Sequence, residues 1–298
     1  MYMPSPGLPE FDYVKPTSLA EASRILAERP DRARPLMGGT DLFVRMRDGL
    51  VRPETMVDVK HLPGMQAIRL DEEEGLTIGA ATTLNQVAGH PVVQTRYPLL
   101  AEAANSVASY QIRNRATLGG NLCNASPAAD TAPATLLLEG TMVLYGPGGE
   151  RFVPAEDFFL GPGTTAIRPG EVMTAIRFPI PPAGSAGRYL KLGRNKAGDL
   201  AIAGVAVLGF PNGTPSGHSF RIGLASVGPV PLRAPQAEQA LAANPPGEES
   251  FMLAAEKAMD AAAPIDDVRA SAAYREAMVR RLTFRALRDV WAQMEEGK

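Results

Sequence analysis

The chain has 298 residues, which at about 150 residues per domain predicts two domains. Its 30 Lys and Arg residues nearly balance 32 Asp and Glu residues, so the net charge of −2 supplies no strong field for binding nucleic acid or an anionic membrane. A single cysteine, Cys123, excludes an intramolecular disulfide, a four-cysteine zinc site and an all-cysteine iron–sulfur cluster. The three histidines lie far apart in sequence, so we predict no metal site in this chain.

Two capping boxes predict helix starts in the first half of the chain. Ser18 with Glu21, and Thr83 with Gln86, place a hydroxyl at an N-cap and a Glu or Gln three residues later. The other predicted elements of this half are strands at 34–37 and 55–59, a hairpin of 66–70 and 76–80, a helix at 97–109, an irregular stretch at 113–130 and a helix at 131–138.

A run rich in Pro and Gly at 178–187 interrupts the second half, and we place a domain boundary there. A small sheet packed by helices is expected after this boundary. Before the boundary we predict a hairpin of 141–145 and 151–153 and a strand at 171–178. After it we predict strands at 188–192, 200–210 and 219–226 and helices at 235–243, 248–262 and 271–296.

Two loops contain adjacent glycines, in the segments MGGTD at 37–41 and TLGGN at 117–121. Adjacent glycines permit positive φ angles and leave space for a ligand, and their consecutive N–H groups can converge as an anion-binding nest. Thr40 and Thr117 add hydroxyl groups. Either loop alone is also typical of a surface turn. The two together predict a site with donors on both sides of a diphosphate.

Other motifs are excluded by their context. The segment GPGTTA at 161–166 matches the dinucleotide pattern G-x-G-x-x-A, but Pro169 would stop the helix that this pattern requires. The sequence has no P-loop and no nucleophile elbow. The first residues lack the features of a signal peptide and no apolar run is long enough for a membrane span, so we predict a cytoplasmic protein.

Five motifs in a fixed order extend over almost the whole chain, from Phe11 to about Ala292. They are PLMGGTDL at 35–42, TIGAATTLNQV at 77–87, RNRATLGGNLCNASPAADTAP at 113–133, EVMTAIRFP at 171–179 and YLKLGRNKAGDLAIAGVAV at 189–207. With these motifs the chain resembles the FAD-binding (medium) subunit of molybdenum hydroxylases, the family of xanthine dehydrogenase, carbon monoxide dehydrogenase and 4-hydroxybenzoyl-CoA reductase. The long second glycine motif is the most diagnostic of the five.

The resemblance implies an α+β fold in which a vanillyl-alcohol-oxidase-like (PCMH-type) domain binds FAD. This domain would have two subdomains, at 1–60 and 61–178. A linker at 179–187 would lead to a C-terminal domain at 188–298, a small sheet with helices similar to that of carbon monoxide dehydrogenase flavoproteins. The boundary placed from composition agrees with this division.

The resemblance also implies which residues bind FAD. The first loop would wrap the diphosphate through N–H groups and Thr40, and the second loop would form the opposite wall. Asp130, which only accepts hydrogen bonds when ionised, would accept from the ribityl hydroxyls, and Lys191 would approach the polar edge of the flavin. The full predicted set is Leu36, Met37, Gly38, Gly39, Thr40, Asp41, Leu42, Val107, Ala108, Thr117, Gly119, Gly120, Asn121, Cys123, Asn124, Asp130, Met173 and Lys191.

Four of these residues have more specific implied positions. Cys123 falls where the family has an apolar residue near the isoalloxazine ring, so we expect a packing residue and not a nucleophile. Val107 and Ala108 would lie near the adenine end, and Met173 would pack on the cofactor. No catalytic residue is expected, because electron transfer needs no general acid or base from this chain.

The implied function is electron transfer from partner 2Fe–2S clusters, through FAD, to NAD+, a quinone or another acceptor. The molybdopterin and 2Fe–2S groups would lie on a large and a small partner subunit, in a dimer of heterotrimers. The 4-hydroxybenzoyl-CoA reductase branch carries an additional 4Fe–4S cluster in this subunit. One cysteine cannot ligate that cluster, so the chain is expected to belong with the cluster-free branch.

Two alternatives stay open at this point. A self-contained flavin reductase or oxidase, resembling UDP-N-acetylenolpyruvoylglucosamine reductase, would need its own acid or base near the flavin. An orphan binding or assembly protein would keep the fold and lack FAD. The intact glycine loops and Asp130 argue against this second alternative.

Overall fold

The computed structural model describes residues 7–195 and 198–296. The first region of the fold is a parallel sheet of three strands, in which the strand at 55–58 lies between the other two and is buried along its whole length. Ser18 accepts a hydrogen bond from the Glu21 N–H as predicted, but the Glu21 carboxylate binds Thr17, so the capping box is half formed. The elements are β1 (Asp12–Val14), α1 (Leu19–Glu28), β2 (Ala33–Leu36), α2 (Leu42–Arg47) and β3 (Thr55–Asp58).

The second region is an antiparallel sheet of five strands, covered by helices. Thr83 and Gln86 form the predicted capping box in full at the start of the helix Leu84–Gly89. The sheet strands are β4 (Ile68–Asp71), β5 (Gly75–Gly79), β6 (Thr141–Gly146), β7 (Gly149–Pro154) and β10 (Val172–Phe178). Their order across the sheet is β4-β5-β10-β6-β7. The helices are α3 (Leu84–Gly89), α4 (Pro91–Arg96), α5 (Pro98–Ser106), α6 (Tyr110–Arg113), α7 (Leu118–Cys123), α8 (Thr131–Leu137) and α9 (Ala155–Phe158).

Two parts of this region differ from the sequence prediction. The predicted helix at 97–109 ends at Ser106, because Ala108 takes a left-handed backbone conformation with φ of 43°. The predicted irregular stretch at 113–130 contains the short helix α7, which Thr117 caps. The rejected dinucleotide segment forms no helix; it is a small hairpin of β8 (Phe159–Gly161) and β9 (Thr164–Thr165).

The third region is an antiparallel sheet of four strands that follow one another in chain order, with one face covered by three helices. The strand predicted to begin at residue 200 begins at Ala203. The elements of the third region are β11 (Ala186–Leu192), β12 (Ala203–Pro211), β13 (His218–Ala225), β14 (Leu232–Arg233), α10 (Pro235–Ala243), α11 (Glu248–Asp260) and α12 (Ala272–Glu296).

The hydrophobic core crosses from the second region into the third. Tyr189, Ala206 and Leu208 of the third sheet pack in the same buried cluster as the helices and strands of the second region. The subdomain and domain limits at 60, 178 and 188 stay a prediction. Within the part of the chain that is described, no helix has the length and apolar character needed to cross a membrane.

Candidate functional site

One cleft, with a volume of about 480 Å³, brings the two glycine loops together. Its walls come from all three sheet regions, from the end of α1 to the loop before β12. Sixteen of the eighteen predicted residues line it: Leu36, Met37, Gly38, Gly39, Thr40, Asp41, Leu42, Val107, Ala108, Thr117, Gly120, Asn121, Cys123, Asn124, Asp130 and Met173.

The other two predicted residues, Gly119 and Lys191, lie directly behind the wall. A Cβ on Gly119 would lie 2.6–2.9 Å from atoms of Ala80, so this glycine permits close packing of α7 on the segment after β5. The Lys191 ammonium donates hydrogen bonds to the Asp130 carboxylate at 2.7 Å and to the Ser106 carbonyl at 3.0 Å. Both residues therefore support groups that form the cleft.

The first glycine loop presents unused backbone donors to the cleft. Among the described residues, none accepts a hydrogen bond from the N–H groups of Gly38, Gly39, Thr40 or Asp41. Gly39 has a φ of 77°, and a Cβ on Gly38 would lie 2.3 Å from the Arg115 carbonyl oxygen. The loop thus has the donors and the local backbone form of an anion-binding nest.

The second glycine loop is different, and the expectation of a second nest is wrong. The N–H groups of Leu118 and Gly119 donate to the carbonyls of Thr82 and Ala80. Those of Gly120 and Asn121 donate to the hydroxyl and the carbonyl of Thr117. All four donors are used inside the protein, so this wall can offer a ligand its side chains and its shape, but not its N–H groups.

Val107 and Ala108 form an edge of the cleft that a buried arginine supports. The Arg113 guanidinium donates to the carbonyls of Val107 and Ala108, at 2.9 and 3.2 Å, and to the Asn105 side chain. These bonds stabilise the left-handed conformation of Ala108, which is unfavourable for a residue with a Cβ. Sequence reasoning overlooked Arg113 although it opens the second glycine motif.

Cys123 lies beside Met173, with its sulfur 3.9 Å from the Met173 sulfur. Burial raises the pKa of the Cys123 thiol to about 12, so the thiol stays protonated at neutral pH. A protonated thiol is a poor nucleophile. This position agrees with a packing role and gives no sign of a covalent one.

Asp130 lines the cleft, and both oxygens of its carboxylate already accept a hydrogen bond from the protein. The Tyr189 hydroxyl donates to Oδ1 at 2.7 Å, and Lys191 donates to Oδ2 at 2.7 Å. Burial raises the pKa of the Asp130 carboxyl, and the two donors oppose that rise. Burial and the Asp130 charge raise the pKa of Tyr189 well above its ordinary value, so its hydroxyl remains a donor.

Sequence reasoning overlooked the arginines of the cleft. Arg34 and Arg45 flank the first glycine loop in sequence, and these two residues and Arg168 line the cleft. Basic residues next to a predicted nest are a signal that could have identified the first two. The three arginines add positive charge to the cleft, which suits an anion.

The acidic residues of the cleft are mostly paired. Glu171 binds Arg151 at 2.7 Å; burial alone would raise the pKa of Glu171, but Arg151 and the Arg168 N–H hold it below its ordinary value. Asp130 and Asp199 pair with Lys191 and Arg194. These ion pairs reduce the negative charge that an anionic ligand would meet.

A loop of the third region closes one side of the cleft. Gly198, Asp199 and Leu200 line it, and the Gly198 N–H donates to the Ala108 carbonyl. Composition placed these residues after the domain boundary, and no local pattern predicts that they approach the glycine loops. The contact joins segments about 90 residues apart in the chain.

Two family models together match most of the chain. The model of the FAD binding domain in molybdopterin dehydrogenase matches residues 9–181, and that of the CO dehydrogenase flavoprotein C-terminal domain matches residues 188–290. The chain belongs to the family of FAD-binding subunits of molybdopterin dehydrogenases. The predicted family, the fold class and the FAD cofactor are thereby confirmed, and the chain is an oxidoreductase subunit.

Individual relatives match over nearly their full length. The medium chain of carbon monoxide dehydrogenase from Hydrogenophaga pseudoflava is 38% identical over 287 residues, which are 96% of this chain and 98% of the relative. A putative xanthine dehydrogenase FAD-binding subunit from Escherichia coli is 33% identical over 282 residues, which are 94% of this chain and 96% of the relative. A solved structure of the Hydrogenophaga enzyme superimposes with a TM-score of 0.91, covering 96% and 98% of the two chains at 38% identity.

The cleft fits the chemistry of FAD. The first loop supplies four unused N–H donors beside Arg34 and Arg45, as a diphosphate requires. A Cβ on Gly120 would approach only Thr117 among the described residues, so the surface of this glycine is otherwise open. Asp130 supplies acceptor oxygens for hydroxyl groups.

Proposed function

We propose that the chain is the electron-transfer subunit of a heteromeric molybdenum hydroxylase, and that it binds FAD in the cleft between the two glycine loops. Electrons would come from the 2Fe–2S clusters of a partner and leave to NAD+ or another acceptor. The observation that carries the proposal is the first loop, whose free N–H groups lie in a cleft of a chain that matches medium and FAD-binding subunits over nearly its full length.

Each wall of the cleft would have its own task in this proposal. The N–H groups from Gly38 to Asp41 and the nearby arginines would bind the diphosphate, which is the most highly charged part of the cofactor. The second loop, with Gly120 and Asn121, would fit against the cofactor by shape. Asp130 would accept hydrogen bonds from the ribityl hydroxyls.

The residues near the flavin would control its surroundings and would not react with substrate. Bound FAD supplies the ability to accept electrons in pairs and release them singly. Cys123 and Met173 would exclude water from its neighbourhood, since both are apolar at neutral pH. No histidine lines the described part of the cleft, which fits a site without general acid–base chemistry.

The same proposal extends to the assembly. A large molybdopterin subunit and a small 2Fe–2S subunit would complete the enzyme, as a dimer of heterotrimers in the cytoplasm. The relatives are named as medium chains and FAD-binding subunits, which supports a place in a larger complex.

The first test is the absorption spectrum of the purified chain. We expect flavin bands and about one FAD per chain after reconstitution. A protein that takes up no FAD would overturn the proposed site and leave the orphan-protein alternative.

Co-purification distinguishes the proposal from a self-contained flavin enzyme. When the tagged chain is expressed with its natural gene neighbours, we expect a large molybdenum-containing chain and a small chain rich in cysteine to accompany it. A chain that remains alone and turns over a substrate by itself would instead support the self-contained reductase or oxidase.

A further inference from the structure

The third region contacts the segment that carries Asp130 at several points. The Ser226 N–H donates to the Pro127 carbonyl at 2.7 Å, and the Arg221 guanidinium donates to the Leu137 carbonyl at 2.8 Å. A Cβ on Gly223 would lie 3.2 Å from Pro133, so β13 packs tightly on α8. The helix that begins after Asp130 is therefore fixed from the third region at both ends.

The side chain of Asp130 is directed toward this region. Aspartate at an N-cap normally accepts a hydrogen bond from the first turn of its helix. Asp130 occupies the N-cap of α8 but forms no such bond. Its two oxygens bind Tyr189 and Lys191 of β11 instead, and the residue is only 4% exposed.

The position of the Tyr189 hydroxyl depends on a glycine in the neighbouring strand. Gly204 lies in β12, and a Cβ there would be 2.5 Å from the Tyr189 hydroxyl oxygen. The ring itself is buried in the core, with 3% of its surface exposed. The absence of a side chain at 204 leaves the hydroxyl in line with Asp130.

We propose that Tyr189 is a positioning residue for the FAD site, which fixes the orientation of the Asp130 carboxylate at the wall of the cleft and makes the C-terminal region a necessary part of that site. The inference rests on the proposed function, since it requires FAD in this cleft. It extends the site beyond residues 9–181, the span of the FAD-binding family model. Each oxygen of Asp130 keeps one lone pair after binding Tyr189 or Lys191, and these lone pairs are available to ligand hydroxyls.

The test uses the full chain and a double-mutant cycle. FAD is removed, and its dissociation constant is measured by fluorescence for the wild type, Tyr189→Phe, Asp130→Asn and the double variant. We expect Tyr189→Phe to weaken FAD binding about tenfold, the effect of one hydrogen bond to a charged group. In the Asp130→Asn background the same change should have little further effect, because the hydroxyl acts through that carboxylate.

A second variant and a control keep the outcome decisive. Gly204→Ala displaces the hydroxyl without removing it and should also weaken binding, with the melting temperature of the apoprotein measured alongside. Tyr274→Phe, at a tyrosine that is 46% exposed, is the matched control and should leave binding unchanged.

The outcomes separate this inference from the proposed function. Wild-type FAD binding with Tyr189→Phe unaffected, or with additive effects in the cycle, would overturn the positioning role alone. A variant that fails to fold shifts the decision to Gly204→Ala, where unchanged affinity would overturn the inference. A wild-type chain that binds no FAD would overturn both.

Discussion

The two glycine loops contain the same dipeptide and serve the fold in different ways. The first loop leaves the N–H groups from Gly38 to Asp41 without a described acceptor. The second loop uses every N–H group from Leu118 to Asn121 inside the protein, through Thr117 and the segment after β5. The difference shows that one sequence pattern can provide either donors for a ligand or space for close packing.

Within each loop the two glycines also differ. Gly38 and Gly119 each lie where a Cβ would strike a neighbouring backbone, so both are required by packing. A Cβ on Gly39 or Gly120 would instead meet side chains, the Phe43 ring and the Thr117 hydroxyl, each at 2.7 Å, and Gly39 also has a positive φ angle. The residues that distinguish binding from packing against the backbone are therefore Gly39 and Gly120.

The largest effect is expected at Gly120. Gly120→Leu should abolish FAD retention, because Gly120 lines the cleft and a bulky side chain there would occupy it, while its Cβ would lie 2.7 Å from the Thr117 hydroxyl oxygen. The measurement is the FAD content after gel filtration. Gly119→Ala is the comparison: it should lower the free energy of unfolding by about 1–3 kcal/mol through overpacking. Full FAD content in Gly120→Leu would refute the placement of the second loop at the cofactor.

The next effect is expected at Gly39. Gly39→Ala should weaken FAD binding about 100-fold, the equivalent of two lost hydrogen bonds to a charged group, because the loop can no longer keep its N–H groups convergent. Gly49→Ala is the control, since Gly49 has a similar φ of 73° and open surroundings. Equal affinity in the two variants would show that the first loop is not the anion site.

A smaller effect is expected at Thr117. Thr117→Ala should lower the free energy of unfolding by about 1 kcal/mol through loss of the helix cap, with FAD affinity within about threefold of the wild type. Thr117→Ser keeps the cap and should restore stability. Urea unfolding and flavin titration provide both values. A loss of affinity as large as that of Gly39→Ala would erase the contrast between the loops.

The smallest effect is expected at Cys123. Its thiol should resist iodoacetamide at pH 8 in the folded protein, because a pKa of about 12 leaves almost no thiolate. Since this pKa is above the unfolded value, the thiol's contribution to stability is complete below about pH 8.5 and is lost as the pH rises toward 12. Alkylation at the rate of a free thiol would contradict this environment.

The sequence was informative where function depends on local backbone. The motifs around Gly39 and Gly120 placed both loops and most of the cleft, and Thr83 with Gln86 identified a helix start. These signals are local because turns and caps involve residues three or four apart.

The remaining features depend on contacts that no local pattern encodes. Tyr189 reaches Asp130 over 59 positions, and Gly198 meets Ala108 across the predicted boundary. Whether the N–H groups of a glycine loop are free depends on what packs behind the loop. For that reason the nest at the first loop and the packed second loop could not be distinguished before the structure.

The link between Asp130 and β11 has a consequence for assembly in the cell. A chain is synthesised from its N-terminus, so both glycine loops emerge before Tyr189 and Lys191 exist. Until β11 is made, the Asp130 carboxylate lacks both of the side chains that bind it in the described structure. We therefore expect stable flavin incorporation to follow completion of the chain, which makes cofactor loading a late step of biogenesis.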